Sequence, residues 1–523
     1  MSSFRTRFSA SFWRRIGQLL FFALFCFLFI KTDYSGSDEL TWAVNLLFRI
    51  DPLLAFSAML AVKACIALML PALLTLVLTL LFGRFFCGWI CPMGTLIDIS
   101  HHILATKSGS ADPGRRRFKY YLLFFLLTAS LFGLPLAGYI DPFSLLVRGL
   151  TFAVHPALDS ATTSFFTWTY QHGPAWLNAL TEPVYALLKE YILPSAGKVY
   201  ALSVFSLFLL LAVLGLSALE RRFFCRNICP LGALLALCSR FSLFALIGGS
   251  ADCGKCRQCR TICRMGAINE ERTIASAECT LCLDCLAYCP VSRIRYGRKR
   301  PAAEEPATDL SRRAVIAGLA AGVLVPLVLP TRPLARSADP LLIRPPGALA
   351  EMEFLGRCIR CGECMKVCIG NALHPTWLAA GLEGIFTPRL IGRIGYCEYN
   401  CTLCGQVCPT GAIRRLTREE KHATVIGRAT FDKNRCLPYA GGVPCMVCEE
   451  HCPTPDKAIK FREAEVLNSK GELVSLQQPY VVGELCVGCG ICENKCPLSG
   501  GSAVIVTAEG ESRHAARISS NGY

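Results

Sequence analysis

The sequence predicts a multi-pass α-helical membrane bundle joined to small cysteine-rich α+β domains. Two observations carry that expectation. Of the 523 residues, 53% are apolar and only 18% charged, below the roughly 25% charge of ordinary soluble domains. Of the 31 cysteines, 24 fall into six groups of four, mostly at two- and three-residue gaps. That regularity is metal-ligand spacing. A disulfide framework needs none of it, and the chain is far too long for a small disulfide-stapled scaffold.

Four stretches reach the roughly 20 apolar residues that cross a bilayer: Ala64–Gly83, Tyr120–Ile140, Val199–Leu219 and, more weakly, Ala314–Thr331. A fifth, between Arg15 and Lys31, is shorter, and its flanking cations can snorkel. Basic loops stay in the cytoplasm. Arg5, Arg7, Arg14 and Arg15 precede the first stretch, and Arg84, Lys107, Arg115, Arg116, Arg117 and Lys119 follow the second. The segments Lys31–Lys63 and Asp141–Lys198 are mixed in charge. The expectation is a bacterial inner-membrane protein in contact with lipid, with its N-terminus in the cytoplasm.

The bundle contains a repeat. FFCGWICPMGTL (Phe85–Leu96) matches FFCRNICPLGAL (Phe223–Leu234) at eight of twelve positions, and Asp51-Pro52 and Asp141-Pro142 precede the two copies. Packed about a pseudo-twofold axis, these halves would bring Cys87, Cys91, Cys225 and Cys229 together. Such a set could bind copper or another soft metal, hold a further iron–sulfur centre, act as a redox dithiol, or only shape tight helix ends. Cys26, Cys65 and Cys238 are left over. The first two read as small apolar residues within spans.

Beyond the fourth span come Cys253-x2-Cys256-x2-Cys259-x3-Cys263 and Cys279-x2-Cys282-x2-Cys285-x3-Cys289-Pro290. This is the spacing of bacterial two-cluster ferredoxins, in which three thiolates wrap one face of a [4Fe–4S] cube and the fourth belongs to the other cluster. It assigns Cys253, Cys256, Cys259 and Cys289 to one cluster and Cys279, Cys282, Cys285 and Cys263 to a second. Four further motifs follow: Cys358/Cys361/Cys364/Cys368, Cys397/Cys401/Cys404/Cys408, Cys436/Cys445/Cys448/Cys452 and Cys486/Cys489/Cys492/Cys496. The formal charge of +16 falls to about +4 once six oxidised clusters at about −2 each are counted. Much of what remains flanks apolar segments, so a nucleic-acid partner is excluded.

The widened third motif, with Cys436-LPYAGGVP-Cys445-MV-Cys448-EEH-Cys452-PTPDKAI, resembles the four-cluster ferredoxins of periplasmic nitrate-reductase and methylamine-utilisation systems (the NapG/MauM type). The resemblance implies nested sharing of ligands. Cys358, Cys361 and Cys364 would take Cys496, and Cys486, Cys489 and Cys492 would take Cys368. Cys397, Cys401 and Cys404 would take Cys452, and Cys436, Cys445 and Cys448 would take Cys408. Residues 1 to about 300, with their four spans and paired Cys-x3-Cys-Pro motifs, resemble the membrane ferredoxin of the same systems (the NapH/MauN type), so the chain looks like a fusion of both.

The implied domains are a membrane domain (1–240), a cytoplasmic two-cluster ferredoxin (241–300), a linker with a fifth span (301–340) and a four-cluster polyferredoxin (341–523). Ser311-Arg312-Arg313 and the apolar run after it resemble a twin-arginine export signal. We read this run as an uncleaved span that carries the four-cluster domain to the periplasm; a helix packed on the cytoplasmic side is the alternative. None of the eight histidines lies in a span, and no C-x-x-C-H, dinucleotide fingerprint or Walker A motif occurs. His101-His102 reads as a solvated interfacial pair or an aid to a quinol proton.

The functional expectation is the electron-transfer component of a quinol dehydrogenase. It would take electrons from the quinone pool through six [4Fe–4S] clusters to a periplasmic reductase or cytochrome. The alternative is metalloenzyme maturation or copper-ion reduction at the Cys-x3-Cys-Pro cysteines.

Overall fold

Proline and glycine decide where the apolar stretches break. The computed structural model describes residues 2–34, 36–40, 42–104, 114–194, 197–248, 253–254, 256–291, 293–299, 310–328, 339–467 and 471–514. Lys107, linker residues 300–309 and the end of the fifth stretch at 329–331 lie outside these described residues. Ser2–Lys31 is one helix. Among the described residues, its Ser11–Lys31 part alone is long and apolar enough to cross a membrane by length and composition.

The other expected spans are shorter or interrupted. Pro71, which has no N–H to donate, separates the 3-10 turn Ala67–Met69 from the helix Ala72–Phe82. Gly133, at φ +87°, and Pro135 divide Phe118–Leu131 from the short helix Ala137–Ile140. Ser203–Gly215 tightens into a 3-10 turn at Leu216–Ala218. The fifth stretch forms Arg312–Val328, which packs beside Phe118–Leu131. Gly318 lies over Tyr121, and Gly322 over Phe125 and Thr128, so the two helices run in the same direction. A Cβ on Gly322 would stand 2.7 Å from Thr128 Cβ, which is why small residues four apart occupy that seam.

The cysteine-rich parts have little regular structure. Each is closed by one antiparallel pairing of its first and last segments: Phe244–Gly248 with Ile294–Arg298, and Arg428–Phe431 with Val504–Thr507. The isolated bridge between Ala348 and Ile413 does the same for the first half of the four-motif region. That region is therefore two consecutive units, each holding two motifs.

These units meet the helices at opposite ends. Arg14 reaches Asp284 of the two-motif unit at 3.3 Å, whereas Asp33, just beyond the same helix, binds Lys366 of the four-motif region. At 1.5 Å per residue Arg14 lies about 26 Å along the axis from the helix end at Lys31, two residues before Asp33. Phe118–Leu131 repeats the arrangement, with Lys119 on Glu278 at 2.5 Å and Pro135 O accepting from Arg360 at 2.6 Å.

The two Asp-Pro steps meet in the core. Asp51 caps Pro52–Val62, its Oδ1 accepting from the Leu53 and Leu54 N–H groups at 2.8 and 3.2 Å. Asp141 caps Pro142–Gly149, its Oδ2 accepting from the Ser144 N–H at 2.9 Å. Each proline sits at the first helical position, where its missing donor costs nothing. The remaining oxygens, Asp51 Oδ2 and Asp141 Oδ1, are buried, and the two carboxyl groups face each other. Both residues are fully buried, so the pair must share a proton. Burial and the neighbouring carboxyl push Asp51 well above the usual carboxylate range, and burial lifts Asp141 to about 6.

The folded chain thus keeps this proton to higher pH than the unfolded chain does. The pair's contribution to stability falls as pH rises from about 4, the ordinary carboxyl value, through the raised values. Asp51→Asn keeps the cap and supplies an N–H to Asp141, so its melting temperature should lose that decline between pH 4 and 8. Asp51→Ala should cost about 1 kcal/mol or more throughout that range, because the cap is lost.

Candidate metal centres

The cysteine turns are built by residues in left-handed conformation between the thiols. They are Leu281 and Leu283 in one motif, Arg360 and Gly362 in another, and Gly488 and Gly490 in a third. Glycine takes this conformation without cost. Leu and Arg do not, so strain is stored where the thiols are aimed inward.

The structure gathers the thiols around cavities. Cys279, Cys282 and Cys285 line one with Cys263, and Cys259 lies near Cys253, Cys256 and Cys289. In the four-motif region the grouping differs from the nested sharing implied by the resemblance. Cys358, Cys361 and Cys364 surround a cavity with Cys408, not Cys496. Cys397, Cys401 and Cys404 do so with Cys368, not Cys452. Cys436, Cys445 and Cys448 stand with Cys496 rather than Cys408, and Cys486, Cys489 and Cys492 with Cys452 rather than Cys368. The reason is the closure of each half by its own terminal pairing, which places consecutive motifs face to face.

Among the described residues, no three or more His, Cys, Asp or Glu side chains converge tightly enough to hold a single metal ion. The thiols ring cavities instead, as a cube-shaped cluster requires and a zinc ion does not. Burial raises most of them, Cys436 to about 11 and Cys448, Cys401 and Cys489 to about 12. They are neutral until metal displaces their protons.

The two Cys-x3-Cys-Pro motifs also meet. Cys91 lies near Cys87 and Cys225, and Cys229 near all three. Two buried arginines, one from each repeat, cross over this quartet. Arg222 donates to Cys87 O at 3.2 Å and lies over Gly94, while Arg84 lies over Gly232, the matching position of the other repeat. Sequence reasoning missed them, although an arginine precedes both Phe-Phe-Cys steps.

Each arginine belongs to a buried ion network shared with the two-motif unit. Asp98 binds Arg222 and Arg264, and Asp284 binds Arg264 and Arg14. Glu278 binds Arg84 and Lys119. Of the other residues singled out in the sequence, His101 contacts Ser217 O at 3.0 Å, Cys26 and Cys238 are half-buried and Cys65 is exposed.

This geometry defines an iron–sulfur protein of ferredoxin type, and comparison with known proteins agrees. A family model described as a 4Fe-4S binding domain matches residues 66–110 and 202–247. The ferredoxin-type protein MauM of methylamine utilization from Methylophilus methylotrophus is 38% identical over 174 residues, 33% of this chain and 72% of the relative. The ferredoxin-type protein NapG of Escherichia coli (strain K12) is 35% identical over 162 residues, 31% of this chain and 68% of the relative. MauM of Paracoccus denitrificans (strain Pd 1222) is 33% identical over 210 residues, 39% of this chain and 86% of the relative. No solved structure matches. The chain belongs to the NapG/MauM family of ferredoxin-type electron-transfer proteins.

The revised grouping has a direct check. Cys408→Ser should perturb the paramagnetic signal that Cys358→Ser perturbs, and Cys496→Ser the one that Cys436→Ser perturbs. Nested sharing predicts the reverse exchange of partners.

Proposed function

We propose that the chain is a membrane-embedded electron wire, a fusion of a NapH/MauN-type membrane ferredoxin with a NapG/MauM-type four-cluster ferredoxin. It passes electrons from quinol through six [4Fe–4S] clusters to a periplasmic reductase or cytochrome. The carrying observation is the placement of the two cysteine-rich parts at opposite ends of one helical body. The outward side chains of that body are apolar, among them Leu19, Leu20, Leu74, Val77, Val204, Phe208 and Leu324. So continuous a surface suits lipid and would aggregate in water.

The six ligand sets are the four cavity sets of the four-motif region, the set with Cys263 and the set with Cys289. Bound there, the clusters supply one-electron carriage. The protein holds them in order and keeps water from most of the thiols. On this reading the two-cluster part faces the cytoplasm and the four-cluster part the periplasm, because arginines crowd the inner end. Arg312–Val328, running alongside Phe118–Leu131, crosses to the outer side. The names of the relatives point to methylamine-utilisation systems for the acceptor and, through the resemblance, to nitrate reductases.

Two measurements test this. A protease admitted only from the periplasmic side should cut the four-cluster part once it is locally unfolded, and complete protection overturns the topology. Menaquinol or ubiquinol should reduce the purified protein's clusters. Failure with both quinols removes quinol as the donor.

A further inference from the structure

The two Cys-x3-Cys-Pro motifs are absorbed by none of the six ligand sets. Each matched stretch, 66–110 and 202–247, brings only two of these four thiols, so neither alone can complete a four-thiolate cluster. Together they form the quartet of Cys87, Cys91, Cys225 and Cys229. From the charge and position of that quartet we infer that it binds one further iron–sulfur cluster, shared across the pseudo-twofold axis. This cluster is the relay between the two-cluster unit and the four-cluster unit. The inference rests on the electron-transfer reading and adds a seventh centre to it.

Charge is the first argument. Arg84 and Arg222, which lie against the quartet, belong to a network of five buried cations (with Arg14, Arg264 and Lys119) and three carboxylates, Asp98, Asp284 and Glu278, bound to them. Two positive charges are left over among buried side chains, and leaving them so is costly. A disulfide or four neutral thiols would do nothing for that excess. A cluster on four thiolates carries about −2 when oxidised, a charge that such a site stabilises. The same cations also face Cys279 and Cys282, so the two centres share them. Arg84 and Arg222 each reach over the other repeat's glycine, so the compensation has the symmetry of the site.

Position is the second argument. The Gly88 backbone, next to Cys87, abuts Thr280 O, between Cys279 and Cys282, and Trp89 Nε1 donates to Leu281 O at 3.0 Å. On the other side, the Phe86 ring lies 5.9 Å from that of Phe143. Ser144 follows, its Oγ 3.5 Å from Ile359 O, one residue from Cys358. The quartet therefore lies between the Cys279 cavity and the Cys358 cavity, where the helical body would otherwise separate them. One electron arrives from one neighbour and one leaves to the other, with no proton or co-reactant required.

The test is iron, sulfide and copper per chain in anaerobically purified full-length protein, with redox-titrated paramagnetic resonance. The wild type should hold about 28 irons rather than about 24. The variant with Cys87→Ser, Cys91→Ser, Cys225→Ser and Cys229→Ser should lose about four irons and one resonance. Its other resonances should persist, which shows that the chain still folds. Equal iron in both proteins overturns the inference, as does copper present in the wild type and lost in the variant. A total far below 24 that nevertheless drops by four would instead count against the six-cluster reading.

Should the quadruple variant not accumulate, Arg222→Gln decides. Arg222 faces both Cys225 and Cys282, so removing its charge should move the midpoints of two resonances to more negative potential, and Arg222→Lys should restore most of both shifts. Movement of a single midpoint, or of none, overturns the inference.

Discussion

Three thiols in one tight turn can wrap only one face of an iron–sulfur cube, so every such turn must borrow its fourth thiol from elsewhere. The cysteine-rich parts of this chain are organised by that borrowing. Within each closed unit the fourth cysteine of one motif stands beside the triplet of the next, as Cys263 does for Cys279, Cys282 and Cys285. Cys408 and Cys368 exchange in the same way between their motifs. The strands that close the units are only four or five residues long, too short to hold a domain by hydrogen bonding alone. Metal binding would supply much of the folding energy, because a preformed thiol cage rarely exists in an unfolded chain.

The helical body solves a different problem, that of fixing two such units at its ends. At the end that meets the two-motif unit it uses charge. Asp98 and Asp284 are threaded between Arg222, Arg264 and Arg14, and Glu278 between Arg84 and Lys119, all nearly inaccessible. Buried pairs of this kind add little net stability, but losing one member strands a charge. They specify one docking geometry. At the end that meets the four-motif region the contacts are mixed. Asp33 holds Lys198 and Lys366, Arg360 stacks on Tyr139 with a 4.6 Å separation, and Arg148 donates to carbonyls on both sides of the junction.

Much of this was legible in the residues. Spacing alone set out the triplets, and the twelve-residue repeat anticipated that Cys87, Cys91, Cys225 and Cys229 would meet. What spacing cannot carry is the choice of fourth ligand. Nested and consecutive sharing use the same cysteines, and short closing pairs such as Ala348 with Ile413 decide between them. Hydropathy likewise marks Tyr120–Ile140 as one apolar run, although Gly133 and Pro135 break it. The carboxyl pair of Asp51 and Asp141 and the crossed arginines were visible only as repeated letters. Their meaning depends on three-dimensional proximity, which no period in the sequence records.

Joining the two halves in one chain has a physical consequence. A separate four-motif unit would have to find its helical partner by diffusion and pay the entropy of association each time. Here the helix Arg312–Val328 lies in the groove beside Phe118–Leu131, with Gly318 and Gly322 allowing close backbone approach. The tether makes docking intramolecular, so its effective concentration is set by the linker and not by expression level. An interface under that condition can be small and polar and still remain occupied. The junction with the four-motif region goes further than that: carboxylate–lysine and arginine–carbonyl contacts around Asp33, Arg148 and Arg360 are joined by an apolar seam in which Phe205 meets Trp377 and Phe386, and Tyr139 meets Phe386. Tethering thus relaxes the demand for affinity and leaves geometry, the placement of the Cys358 turn against Ser144, as the property the junction has to secure.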